Sequence, residues 1–99
     1  MASMDIRELL KSKRDEILRI AARHGASNVR VFGSVARGEA GVESDVDFLV
    51  EMDRGRSLLD RAALMLDLEQ ALGRRVDVAN ERGLKSSVRE QILKDAVRL

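Results

Sequence analysis

The sequence predicts an α/β (α+β) domain in which a small mixed sheet of three strands or more is flanked by helices, in the order α-β-β-α-β-α. Three observations carry this. Apolar stripes at helical spacing alternate with short β-branched runs. The helical stretches open on Asp or Ser with an acid three residues later, and two of them stop at a glycine. No internal repeat, low-complexity segment or linker interrupts the pattern, and 99 residues suffice for one modest core, so residues 1–99 read as a single domain.

The first helix is expected over Asp5–Arg23. Ile6, Leu9, Leu10, Ile17, Ile20 and Ala21 form its apolar stripe, Asp5 with Glu8 a capping box, and Gly25 its stop. His24, at its C-terminal end, suits the helix dipole and reads as a capping or solvated residue. Val29–Phe32 is the first strand, and a Gly33–Ser34 turn follows. Residues 35–43, with Gly38 and Gly41, read as a loop that has room for one helical turn after Ser34.

Asp45–Glu51 is the second strand, with Val46, Phe48 and Val50 facing the core and Asp45, Asp47 and Leu49 on the other face. After a turn at Asp53–Arg56, Ser57 with Asp60 opens a helix that runs to Leu72 and stops at Gly73. Arg75–Ala79 is the third strand, with Asp77 between two valines. Ser87 with Glu90 opens the last helix, whose expected buried stripe is Val88, Ile92, Ala96 and Leu99.

Composition narrows the function classes. There is no cysteine, which excludes disulfides and thiolate metal sites and fits a reducing cytoplasm. No apolar run approaches the length of a membrane span and no signal peptide is recognisable, so a cytoplasmic protein without membrane contact is expected. Eighteen basic and 17 acidic residues interleave to a net charge of +1, and Phe32 and Phe48 are the only aromatics. Neither a basic patch nor a stacking platform for direct nucleic-acid binding is expected.

The most informative stretch is Gly33–Glu51, GSVARGEAGVESDVDFLVE. Asp45 and Asp47 are two apart on a strand, so their carboxylates project from one face about 6–7 Å apart at Cα. At an effective dielectric of 20 they repel by roughly 2–3 kcal/mol, which a bound metal ion would relieve. A P-loop is excluded, because Glu39 and Ala40 stand where that motif needs Lys and Ser or Thr. An EF-hand is excluded by Leu49 at the third ligand position and the missing central glycine. A dehalogenase-type phosphotransferase would need a longer chain with further acids and a lysine.

What remains is Gly33-Ser34, ten residues, Asp45-x-Asp47, and a lone aspartate, Asp77, on a later strand. This resembles the signature of the DNA polymerase beta-like nucleotidyltransferases. The wording GSVARGEAGVESDVDFLV looks like the small minimal nucleotidyltransferases, or MNT domains, and LKSSVREQILKDAVRL resembles their closing segment. Gly-Ser or Asp-x-Asp alone would be weak, whereas both at this spacing with Asp77 are specific.

The resemblance implies catalytic roles and metal ligation for Asp45, Asp47 and Asp77, which would hold two magnesium ions, with Asp77 also accepting the proton of the attacking hydroxyl. Gly33, Ser34 and Arg37 would contact the triphosphate of ATP. Ser44 is grouped with the nucleotide-binding residues, although hydrogen bonding within the loop accounts for it as well. Larger relatives carry a helical domain that completes the cleft, so the acceptor wall is expected from another chain. The resemblance further implies an antitoxin that transfers AMP from ATP to a tyrosine hydroxyl of a HEPN ribonuclease toxin encoded beside it, in a hetero-oligomer. Two other readings stay open: an antitoxin that blocks its partner sterically, and a small-molecule nucleotidyltransferase.

Overall fold

A computed structural model describes residues 5–39 and 45–99. Around a four-stranded sheet ordered β3-β2-β1-β4, the chain runs α1 (Ile6–Ser12), α2 (Arg14–Arg23), β1 (Ala26–Phe32), α3 (Gly33–Arg37), β2 (Val46–Met52), α4 (Leu58–Leu72), β3 (Val76–Asn80), a 3-10 turn (Glu81–Gly83), α5 (Ser86–Asp95) and β4 (Val97–Arg98). β1 is antiparallel to both its neighbours, and β2 runs parallel to β3, so the sheet is mixed as expected.

The core lies between one face of this sheet and helices α1, α2 and α4. Ile6 and Leu10, Ile17, Ile20 and Ala21, and Leu64, Leu68 and Leu72 are the buried residues of those helices, each set at three- and four-residue spacing. They join Val46, Phe48 and Val50 of β2 in one apolar cluster. Phe48 is fully buried, which contributes about 2–3 kcal/mol from its area alone.

The caps follow the sequence closely at α4. Ser57 and Asp60 form a reciprocal capping box there, and Gly73 ends the helix in the left-handed region. At α1 only half of the expected box is present, Asp5 accepting the N–H of Arg7.

Sequence-based expectations are corrected at the first helix, β1, the last helix and Leu49. The single helix expected over Asp5–Arg23 is interrupted at Lys13, whose ammonium donates to the carbonyl of Ala71 at the end of α4. β1 begins at Ala26 rather than Val29, because the ladder with β2 continues across a bulge between Ser27 and Arg30, where Asn28 takes a φ of +50°.

The last helix ends at Asp95, before Ala96 and Leu99, and none of its residues is fully buried; Val88 keeps 46% of its surface exposed. Its N-cap is Lys85, without a side-chain cap, rather than the Ser87–Glu90 box. The open edge of β1 explains the early stop: Val97 and Arg98 pair with Val31 and Arg30, and the Leu99 N–H donates to the Val29 carbonyl.

Leu49, expected on the open face with Asp45 and Asp47, is fully buried. It is flanked in the ladder by Arg30 and Ala79, and the 3-10 turn packs on this side of β2. The second face of the sheet is therefore open only toward its Asp47 end.

Candidate active site

The register of the sheet brings two distant aspartates together. Asp47 and Asp77 are partners across the parallel β2–β3 ladder, and Phe32 is the partner of Asp47 on the other side. Strand alternation sets Asp47 on the face opposite Val46, Phe48 and Val50, because those residues are fully buried in the core. Asp45 immediately precedes β2 and is exposed, as is Asp77, whereas Asp47 is half-buried. The amide of Val46 donates to the carbonyl of Arg75 at 2.9 Å, which pins the start of β2 against the approach to β3.

Gly33 is the closest backbone approach in this site. It has a φ of +73°, and a Cβ placed on it would meet Asp47 Cγ at 3.3 Å and run into Oδ2. Both facts require glycine: a side chain would strain the backbone and displace the Asp47 carboxylate. Ser34 follows, half-buried, and α3 is anchored through buried Val35. The expected turn after the first strand is thus a five-residue helix, with Gly33 set directly against Asp47.

The electrostatics record the crowding of acids. Burial pushes the Asp47 carboxyl above its ordinary range, Asp77 and then Asp45 push it the same way, and Arg37 partly offsets them. Asp77 Oδ1 accepts from its neighbour Val78 N–H at 3.0 Å. Among the described residues no three His, Cys, Asp or Glu side chains stand close enough together to hold a metal ion. The ladder nonetheless makes hard oxygen donors of Asp47 and Asp77 immediate neighbours. Carboxylate oxygens are the hard donors that magnesium takes, so the chemistry of this pair fits that ion.

Arg37 is held by two acids. Its Nη1 donates to Asp95 Oδ2 at 2.9 Å and its Nε to Glu39 Oε2 at 3.1 Å, which ties α3 to α5. To reach a phosphate it has to exchange at least one of these carboxylates. Ser44 lies outside the described residues.

Sequence reasoning missed one group on this face. Arg30, the ladder partner of Leu49, pairs through Nη1 with Glu81 Oε1 at 2.6 Å, and both side chains are only 12% exposed. Arg89 of α5 adds a second contact to Glu81 at 3.2 Å. Arg30 Nη2 is buried without a hydrogen-bond partner among the described residues. Arg30 alternates with apolar neighbours in a strand and so carried a faint signal, but Glu81 in its turn carried none.

Comparison with known proteins places this architecture. Residues 7–99 match the nucleotidyltransferase domain family, and the chain belongs to it. A solved structure provisionally named as a minimal nucleotidyltransferase is 52% identical, with a TM-score of 0.86 and full coverage of both chains. The protein adenylyltransferase MntA of Thermococcus cleftensis is 38% identical over 93 residues, which is 94% of this chain and 91% of that protein. A Methanocaldococcus jannaschii protein provisionally named as a protein adenylyltransferase is 38% identical over 94 residues, covering 95% and 97% of the two chains.

A toxin–antitoxin crystal structure with AMP-PNP, at 23% identity and a TM-score of 0.75 over 89% of this chain and 70% of that one, shares the fold. The protein is a nucleotidyltransferase by family. No helix among the described residues is long and apolar enough to cross a membrane.

Proposed function

We propose that the chain is a magnesium-dependent protein adenylyltransferase that transfers AMP from ATP to a hydroxyl of a partner protein and thereby acts as an antitoxin. The observation that carries this reading is the register of Asp47 against Asp77, with Gly33 closed against Asp47. It brings acids thirty residues apart in sequence to one end of the sheet face, beside the turn that holds Ser34. Relatives named as protein adenylyltransferases at 38% identity support it. The partner fits a HEPN-type ribonuclease toxin and the acceptor a tyrosine, as the family resemblance implies. The toxin–antitoxin structures of the same fold, one with AMP-PNP, are consistent with ATP as donor and a hetero-oligomer.

Asp45, Asp47 and Asp77 would hold magnesium, which supplies charge neutralisation for the triphosphate and the departing pyrophosphate. The chain's own residues do the rest. Gly33 lets the backbone come close to the triphosphate, and Ser34 offers its hydroxyl to a phosphate oxygen. The acceptor oxygen bonds to the α-phosphorus as the bond from phosphorus to pyrophosphate breaks. Asp77, exposed on its strand, receives the hydroxyl proton. Arg37, released from Asp95, supplies a cation to the phosphates.

The test is incubation with ATP, magnesium and the product of the adjacent gene, followed by mass spectrometry of that product. An AMP increment that disappears with Asp45→Asn supports the reading. No increment, together with neutralisation by Asp45→Asn equal to that of the native chain, would instead leave steric blocking as the activity.

A further inference from the structure

A cavity of about 440 Å³ opens between α1, α3 and β4, and Val31 lines it. Val31 is the ladder partner of Phe48, so the cavity belongs to the core side of the sheet, whereas Asp47 belongs to the other face. The two share β1 and α3, which begins at Gly33 and reaches the cavity through Val35 and Ala36.

The lining has two parts. Its floor is apolar, with Leu10, Val35 and Val97, the last 54% exposed. Its rim holds Arg7, Lys11, Arg14 and Arg98, and no Asp or Glu side chain lines it among the described residues. In a chain with 18 basic and 17 acidic residues, four basic side chains with no Asp or Glu among the described lining residues is a local segregation of charge.

Two of the cations are already engaged. Arg7 donates to the carbonyl of Ala36 at 3.2 Å, and Arg14 donates through Nε to that of Leu99 at 3.0 Å. The side chains of Lys11 and Arg98 have no hydrogen bond or ion pair among the described residues, and both residues are exposed.

An apolar floor inside a cationic rim selects its occupant. A nucleic acid would match the charge, but no aromatic side chain lines the cavity to stack a base. A second copy of the chain is a poorer fit: beside its most exposed leucines, Leu58 and Leu59, Arg54 and Arg56 offset Asp53 and Asp60, so that segment offers no net negative charge to the rim. A peptide with apolar anchors flanked by carboxylates satisfies both parts.

We propose that this cavity is the docking site for an acidic amphipathic segment of the acceptor protein, with its apolar side chains on the floor and its carboxylates on Lys11 and Arg98. This rests on the reading that the acceptor is a protein. A segment seated there touches the helix that carries Gly33 and Ser34, so docking and transfer would share one rigid element.

The test uses the full chain and the product of the adjacent gene. Association is followed at low and moderate salt for the native chain, for Lys11→Glu/Arg98→Glu, and for a control, Arg19→Glu/Arg54→Glu, which reverses as much exposed charge away from the cavity. The cavity double variant is expected to associate about tenfold or more slowly at low salt and to lose most of the salt dependence, while the control changes little. Val97→Ser is expected to speed dissociation. Thermal melts and AMP-PNP binding should match the native chain in every variant.

Equal association by both double variants, or no complex with the native chain, overturns the docking site. AMP transfer to the same partner is scored separately. A complex weakened only by the cavity variants but carrying no AMP keeps the cavity as the docking site for that partner and removes the transferase reading. Transfer with both double variants binding alike does the reverse.

Discussion

Asp47 and Asp77 face each other as register partners across the parallel β2–β3 ladder. Burial and the neighbouring acids raise the Asp47 carboxyl, so the folded chain holds its proton more tightly than the unfolded chain does. Stability therefore falls as pH rises from the ordinary carboxylate value of 3.8 through the raised folded value, and the penalty is complete above it. Without magnesium, Asp47→Asn is expected to melt above the native chain at neutral pH and to lose that advantage below the ordinary value. Melting curves of the two across this range check it.

Ligand should reverse that order. AMP-PNP with magnesium, at about 100 times its dissociation constant, is expected to stabilise the native chain by about 2.7 kcal/mol. Chelation of the metal should remove most of the gain, and Asp47→Asn should show little of it. Equal stabilisation of both proteins by AMP-PNP with the metal chelated would contradict the carboxylate site.

Gly33→Ala tests the contact with Asp47. The left-handed backbone costs about 1–2 kcal/mol for a residue with a Cβ, and the added methyl runs into the Asp47 carboxylate. Denaturant unfolding should register that loss. AMP transfer should fall by more than stability does, because a displacement on the ångström scale in a reacting site is worth about a hundredfold.

Glu81→Gln removes the anion that faces Arg30, whose Nη2 already lacks a partner among the described residues. Both side chains keep some contact with solvent, so the loss should fall below the range for broken buried pairs, at about 1–2 kcal/mol. Hydrogen bonds from Arg30, and then from Arg89, outweigh burial and hold the Glu81 carboxyl below its ordinary value of 4.5. Its contribution is therefore present above that value and lost as pH falls through the lowered one. Urea midpoints of Glu81→Gln and the native chain should converge in acid.

Ser57→Ala opens the capping box at the start of α4 and is expected to cost about 1 kcal/mol. Ser57 is exposed and remote from the carboxylate face, so AMP transfer at low temperature should be unchanged. A loss of transfer without a change in melting would place Ser57 in the site instead.

Much of this protein could be read along the chain. The Ser57 and Gly73 boundaries, the stripes of α1 and α2, the strand at Asp45-x-Asp47 and the family signature all depend on residues within a few positions of one another. Local propensity and periodicity act over that range. The family assignment and the mixed-sheet fold followed from these and agree with the comparisons.

Other features needed the folded chain. β4 exists because the edge of β1 lacked a partner, an opportunity invisible in LKDAVRL itself. Leu49 is buried because its ladder neighbours and the 3-10 turn happen to cover it, although its position two residues after Asp47 is shared with an open face. The Arg30–Glu81 pair joins residues fifty-one apart, and the cavity rim gathers α1, α2 and β4.

The sequence by itself determined the family signature and the apolar stripes of α1 and α2, because both are written in residue type and period. Only the tertiary structure decided that Asp77 stands beside Asp47 and that the basic residues around the cavity meet. Strand register and helix placement minimise the free energy of the whole packed core, and no local segment encodes that minimum.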